Sequence, residues 1–182
     1  MAENINKQDV RIAKTRQAIL DAMSKLLESR NFKQITVKNL CEEALVSRAA
    51  FYVHFEDKYD LLQHWLTAFG AEATCKDNTY EQMEKSVNNF VQSNKTVIKN
   101  LMDEASDEVL IILHAYILSL LELSPEKNEE GIISPKHIVL SSFCTGGVVN
   151  YLLWQVKNKF PSDIQPMNIY LFEIIETLRK LD

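Results

Sequence analysis

The chain has 182 residues and a mass of 21.0 kDa; 46% of its residues are hydrophobic, with only four Gly and four Pro. That length buries a real core, as one domain or two small ones, and few turn residues without strand-type alternation imply a mostly helical protein. A net charge of −5 excludes a uniformly basic chain, yet residues 1–60 hold ten Lys/Arg against nine Asp/Glu, and residues 61–182 ten against sixteen. Four of the five Arg lie in the first 60 residues, so that part can carry a local basic face. Cys41, Cys75 and Cys144 are widely spaced and form no metal-ligand pattern. With no apolar signal-peptide core in MAENINKQDVRIAKTR, the expectation is a reducing, cytoplasmic location.

The first predicted helix runs from Gln8 to Arg30, with an apolar stripe of Ile12, Ile19, Ala22, Met23, Leu26 and Leu27. Lys7, Arg11, Lys14 and Arg16 gather near its beginning. Thr36 then caps a second helix whose Val37, Leu40, Cys41 and Ala44 share one face. Leu45 and Val46 break that pattern, and Ser47 can cap a third helix through Arg48, Ala49, Ala50, Phe51 and Tyr52. Two short helices joined by a tight turn form a helix-turn-helix, whose second helix enters the DNA major groove. Small residues at 47, 49 and 50 let that helix approach base edges, and the Arg48 fork matches guanine O6 and N7. Tyr52, His54 and Lys58 can donate to phosphate oxygens, while Phe51 and Phe55 read as apolar pegs that seat the helix. The bland alternative is a helical hairpin whose polar residues are merely solvated. Asp57 starts a fourth helix, Lys58 to about Ala73, with Leu61, Leu62, Trp65, Leu66 and Phe69 as core.

Further along, weaker patterns predict helices over Thr79–Gln92 and Asn94–Asp103, then a strongly apolar one over Asp107–Leu123. Ser124–Pro135 is charged, with Pro near each end, and reads as an exposed loop. From Ile138 to Val156 there is no charged residue, long enough to raise a membrane span. Ser141, Ser142, Thr145, Asn150 and Gln155 spread polarity around that helix and Lys flanks both ends, so we expect a doubly buried helix instead. Gly146 and Gly147 each cost about 1 kcal/mol in a helix interior, which close approach of another helix would offset. That neighbour is either a second subunit or a helix of the same one. Ile164–Leu181 closes the chain with a stripe of Met167, Leu171, Ile174, Ile175, Leu178 and Leu181.

The run TVKNLCEEALVSRAAFYVHFEDKYDLL resembles the DNA-binding signature of TetR-type bacterial transcription regulators, and TRQAILDAMSKLLESRNFKQI resembles that family's first helix. Ser47, Tyr52, His54, Phe55, Lys58 and Leu61 fall in register, over about the first 65 residues. Three positions depart. Leu45 stands where the family prefers Gly at a turn suited to φ > 0, and Asn31 stands where it often has Gly. Asn31 is expected to tolerate the left-handed conformation at a helix end. Val53 replaces an aromatic or polar residue. The resemblance implies that Thr15 and Arg16 meet the DNA backbone, alongside Thr36, Ser47, Arg48, Ala49, Tyr52, His54 and Lys58 as DNA-binding residues. It also implies a dimer made by the last two long helices, with Gly146, Gly147, Leu171, Ile174, Ile175 and Leu178 at the interface. The tract Asn94–Pro161, with its Gly-Gly and a Pro after Trp154, is similar to the dihydroxyacetone-kinase regulator subgroup.

His54, His64, His114 and His137 have no partners spaced for a metal, and no Gly-rich phosphate loop is present, so neither enzyme activity nor a cofactor is expected. His114, alone among apolar residues, either is a hydrogen-bonded core histidine or faces an effector pocket with Tyr116, Asn150 and Trp154. The expectation is an all-α homodimer without membrane segments. Residues 1–60 form a three-helix helix-turn-helix domain, and residues 61–182 a helical effector-binding and dimerisation domain. Its partners are a palindromic double-stranded operator and an unknown small-molecule or protein effector, and its action is repression. The alternatives are a regulator or activator controlled by a protein partner, and a helical enzyme or structural protein.

Overall fold

A first helix, α1, runs from Lys7 to Leu27, three residues short of the expected end. A computed structural model describes residues 7–71, 89–120 and 135–161 with 170, 173, 174 and 177. Ile19, Met23 and Leu27 of α1 are fully enclosed, whereas Ile12 lies before the packed part and stays exposed. After a 3-10 turn at Phe32–Gln34, α2 spans Val37–Ala44. It begins with a capping box: the Thr36 hydroxyl accepts from the Asn39 amide at 3.2 Å, and the Asn39 side chain accepts from the Thr36 amide at 3.1 Å.

α2 ends in a Schellman turn, in which the Val46 amide donates to the Cys41 carbonyl at 3.0 Å. Leu45 occupies its left-handed position, φ 56° and ψ 40°, where a Cβ is strained by about 1–2 kcal/mol. The turn therefore forms without the Gly that suits it. Asn31 corrects the sequence expectation: its φ of −66° and ψ of 145° are extended backbone at the start of the 3-10 turn. Helix α3, Arg48–His54, starts at Ser47, whose hydroxyl accepts from the Ala50 amide at 3.1 Å. Helix α4, Lys58–Gly70, starts at Asp57, whose carboxylate accepts from the amides of Tyr59 and Asp60 at 2.7 and 2.9 Å.

Phe51, Phe55, Leu61, Leu62 and Trp65 close over the α1 stripe, each worth about 1.5–3 kcal/mol of apolar burial. The Trp65 indole N–H donates to the Ser24 hydroxyl at 2.8 Å, so its polar edge is satisfied where α4 crosses α1. A helical stretch at 89–93 leads to α5, Lys95–Met102, then α6, Asp107–Leu120, and α7, Pro135–Lys157. The rest of the expected helix over 79–92, the 124–135 connection as far as 134, and most of 164–181 lie outside the described residues. α5 buries Val97, Ile98, Leu101 and Met102, and α6 packs between α4 and α7. Buried side chains of all these helices join one connected cluster. No described helix is long and apolar enough to cross a membrane.

One contact fixes the crossing of α4 and α6. The Tyr116 hydroxyl lies where a Cβ on Gly70 would stand, 1.3 Å from that ideal position. Only a residue without a side chain admits the phenol. The hydroxyl is enclosed with no hydrogen-bond partner among the described residues, and burial raises its pKa. Gly70→Ala is expected to cost about 1–3 kcal/mol by overpacking. Tyr116→Phe is expected to be neutral or stabilising, because it removes an unsatisfied polar group. Urea unfolding of the two variants checks this, and a loss of stability in Tyr116→Phe would show that the hydroxyl has a partner.

Candidate nucleic-acid interface

Helix α3 has an inner and an outer face. Phe51 is fully buried, with the Phe55 ring 5.8 Å from its own centroid, and these two rings seat the helix. The outer face carries Arg48, Ala49, Tyr52 and Val53, one pair per turn at i and i+4. Tyr52 is 57% exposed, and its ring meets Phe51 edge-on, so the aromatic body is held while the hydroxyl reaches out. Arg48 stands at the N-terminal end of α3, the end that meets base edges in this motif, and is exposed. Ser47 spends its hydroxyl on the cap and remains at the surface. The expected DNA-binding residues Ser47, Arg48, Ala49 and Tyr52 thus share one exposed region, and Thr36 is exposed at the start of α2. Sequence reasoning set aside Val53 as a departure, but the 49/53 periodicity already put it on that face.

The flanking positions are less free. Thr15 is half-buried and its hydroxyl donates to the Arg11 carbonyl at 3.0 Å. The Arg16 guanidinium carbon stands 5.5 Å from the centroid of the Phe55 ring, a cation–π contact of about 0.5–1 kcal/mol. His54 is half-buried beside Phe55. Lys58 departs most from expectation. Its ammonium donates to the carbonyls of Phe32 and Ile35 at 3.1 and 3.0 Å and lies 4.5 Å from the Phe32 ring centroid. Burial lowers its pKa, with Asp57 pulling the other way. Two of three N–H donors are committed to the interior, because the 3-10 turn leaves two carbonyls facing the start of α4. Lys58 is a tie between α4 and the turn before α2. Burial pushes the Cys41 thiol upward, against a smaller opposite pull from Arg48.

Two of the proposed effector residues are engaged within the subunit. The His114 Nδ1 is paired with the Leu110 carbonyl at 2.7 Å, as a satisfied core histidine would be, and Tyr116 points at Gly70. Asn150 and Trp154 lie on the exposed side of α7; the Asn150 amide donates to the Gly146 carbonyl at 2.9 Å, and Trp154 stacks on Tyr151. A cavity of about 220 Å³ lies elsewhere, between the 3-10 turn, the start of α4 and the corner joining α5 to α6. Phe32, Lys58, Tyr59, Leu101, Glu104 and Ser106 line it. A Cβ added at Gly146 or Gly147 would meet nothing within 4 Å, so among the described residues no helix of the same subunit explains the pair. Ile174 is exposed, while Leu171, Ile175 and Leu178 lie outside the described residues. Those residues contain no group of three or more His, Cys, Asp or Glu able to hold a metal.

The short capped helices and the outward α3 face define a helix-turn-helix protein of the DNA-binding kind. Residues 19–64 match the family model of bacterial regulatory proteins of the tetR family. The uncharacterised HTH-type transcriptional regulator YwcC of Bacillus subtilis is 27% identical over 153 residues, 84% of this chain. The chain spans 63% of that relative's length. Among solved structures, a TetR transcriptional regulator from Streptococcus agalactiae superposes with a TM-score of 0.64 at 21% identity, covering 92% of this chain and 97% of that one. The dihydroxyacetone kinase operon activator DhaS superposes at 0.53 with 12% identity, over 92% and 97% of the two chains. Residues 19–64 thus match the tetR-family DNA-binding region, the fold along the chain is that of solved TetR regulators, and together these support a TetR-family transcriptional regulator.

The internal role of Lys58 gives a prediction that separates it from a phosphate contact. Lys58→Ala removes the ammonium from both carbonyls, of which that of Phe32 keeps the Ile35 amide, and is expected to cost about 1–3 kcal/mol of stability. The slope of log affinity for duplex DNA against log salt is expected to stay unchanged, since no phosphate contact is removed. Urea unfolding and titrations at several salt concentrations measure both quantities; a slope lower by about one would return Lys58 to the phosphates.

Proposed function

We propose that the chain is a homodimeric repressor that binds a roughly palindromic duplex operator and is released by an effector acting on residues 61–182. The observation that carries this reading is the outer face of α3. A helix locked by Phe51 presents Arg48 and Tyr52 beside the smaller Ala49 and Val53, which suits entry into a major groove. Residues 1–60 would then be the DNA-binding domain and the cell interior its location.

Support for a dimer comes from α7. Val139, Phe143, Gly147, Asn150 and Trp154 form one exposed stripe, and Phe143 is 64% and Trp154 39% open to solvent. A large apolar stripe with a gap at Gly147 suits a second copy of the same helix packed closely against it. Two copies would place their reading helices about 34–36 Å apart, one turn of DNA. A second reading of the input is control by a protein partner, with activation as the outcome, since the structurally similar DhaS is named an operon activator.

Two measurements test the reading. Arg48→Ala is expected to lose about 1–3 kcal/mol on the selected operator and little on a scrambled duplex. Equal losses on both would remove Arg48 from base readout. Gly147→Leu, for which the subunit has open space, is expected to keep its helical circular dichroism while sedimenting as a monomer with weakened operator binding. A folded Gly147→Leu dimer with unchanged affinity would reject α7 as the interface.

A further inference from the structure

We propose that Val53 and Leu45 are specificity-determining residues that read the 5-methyl groups of thymines, so that each operator half-site carries thymine opposite these side chains. The inference rests on the DNA-binding reading above and deepens it. Val53 is 73% exposed on the outer face of α3, one turn after exposed Ala49, beside the Arg48 and Tyr52 pair. It has no donor for a phosphate oxygen and no polar atom for a base edge. The thymine methyl is the one apolar group on the major-groove edges of the bases, and apolar side chains are its partners.

Leu45 adds an independent observation. A single exposed apolar residue needs no cause. Leu45, however, is 92% exposed in a left-handed conformation at φ 56°, two residues before the Ser47 cap of α3. It contributes almost no burial to the folded subunit, and it strains the turn that aims the reading helix. Removal of its side chain from water against a groove surface would offset both penalties.

The test uses the full chain and a duplex enriched from a random pool, with each thymine replaced singly by deoxyuridine. That replacement deletes the methyl and leaves every hydrogen-bonding group in place. The wild-type protein is expected to bind about fourfold more weakly at one or more positions per half-site. Val53→Ala should lose that sensitivity at one position, and Leu45→Gly at another, while Leu45→Gly unfolds at a higher urea concentration because the strain is gone. Both residues are exposed, and circular dichroism verifies that the variants are folded; Val53→Ala alone suffices if the Gly variant is not. Specific binding that is indifferent to every deoxyuridine, or a sensitivity that Val53→Ala leaves unchanged, overturns the proposal but leaves the DNA-binding reading intact. Failure to enrich any duplex overturns that reading, and this proposal with it.

Discussion

A helix of seven residues cannot sustain itself in water, and α3 is that short. Its geometry is borrowed from Phe51 and Phe55, both buried against a core that α1 and α4 provide. Everything the outer face can do depends on this seating. With the two rings fixed, the four outward side chains have fixed directions, and the Ser47 cap sets where the helix begins. The Arg16 guanidinium on the Phe55 ring extends the same anchorage to α1. The backbone of the reading helix thus needs no ordering when it meets a partner, and only exposed side chains such as Arg48 lose freedom there.

A second set of contacts holds this unit to the rest of the chain. The Asn100 amide of α5, buried, donates to the Leu27 carbonyl at 2.8 Å, in the last turn of α1 where helical carbonyls lack partners. Lys58 gathers two more carbonyls from the adjoining turn. Asn31 reaches Asp103 at 3.5 Å, and Lys33 pairs with Glu104 at 2.9 Å. The unit is therefore attached by one buried amide on a helix-end carbonyl and by two polar side-chain pairs, besides the shared core.

The caps and pegs were legible in the sequence because they follow local rules. Thr36, Ser47 and Asp57 each precede an apolar-periodic run, and all three hydroxyl or carboxylate groups accept helix amides as expected. Lys58 was not legible: an ammonium bound to two backbone carbonyls leaves no residue pattern, since every residue has a carbonyl. Asn31 was misjudged because the chain enters a 3-10 turn there instead of a helix stop. Asn150 and Trp154 were offered only as one alternative for what His114 faces, and periodicity cannot tell which side of such a helix faces its own subunit. The open space at the two glycines is likewise a property of neighbours, not of the sequence around them.

The attachment through Asn100 has a further consequence for ionic strength. A neutral amide on a buried carbonyl carries no net charge to be screened, whereas Lys33–Glu104, with both side chains mostly exposed, is the kind of pair that salt weakens at little cost. The joint between the reading unit and the rest of the chain should hold its geometry from dilute buffer to high salt. Whatever ionic-strength dependence the molecule shows toward a polyanion then reports the partner's displaced counterions, not a rearrangement within the protein.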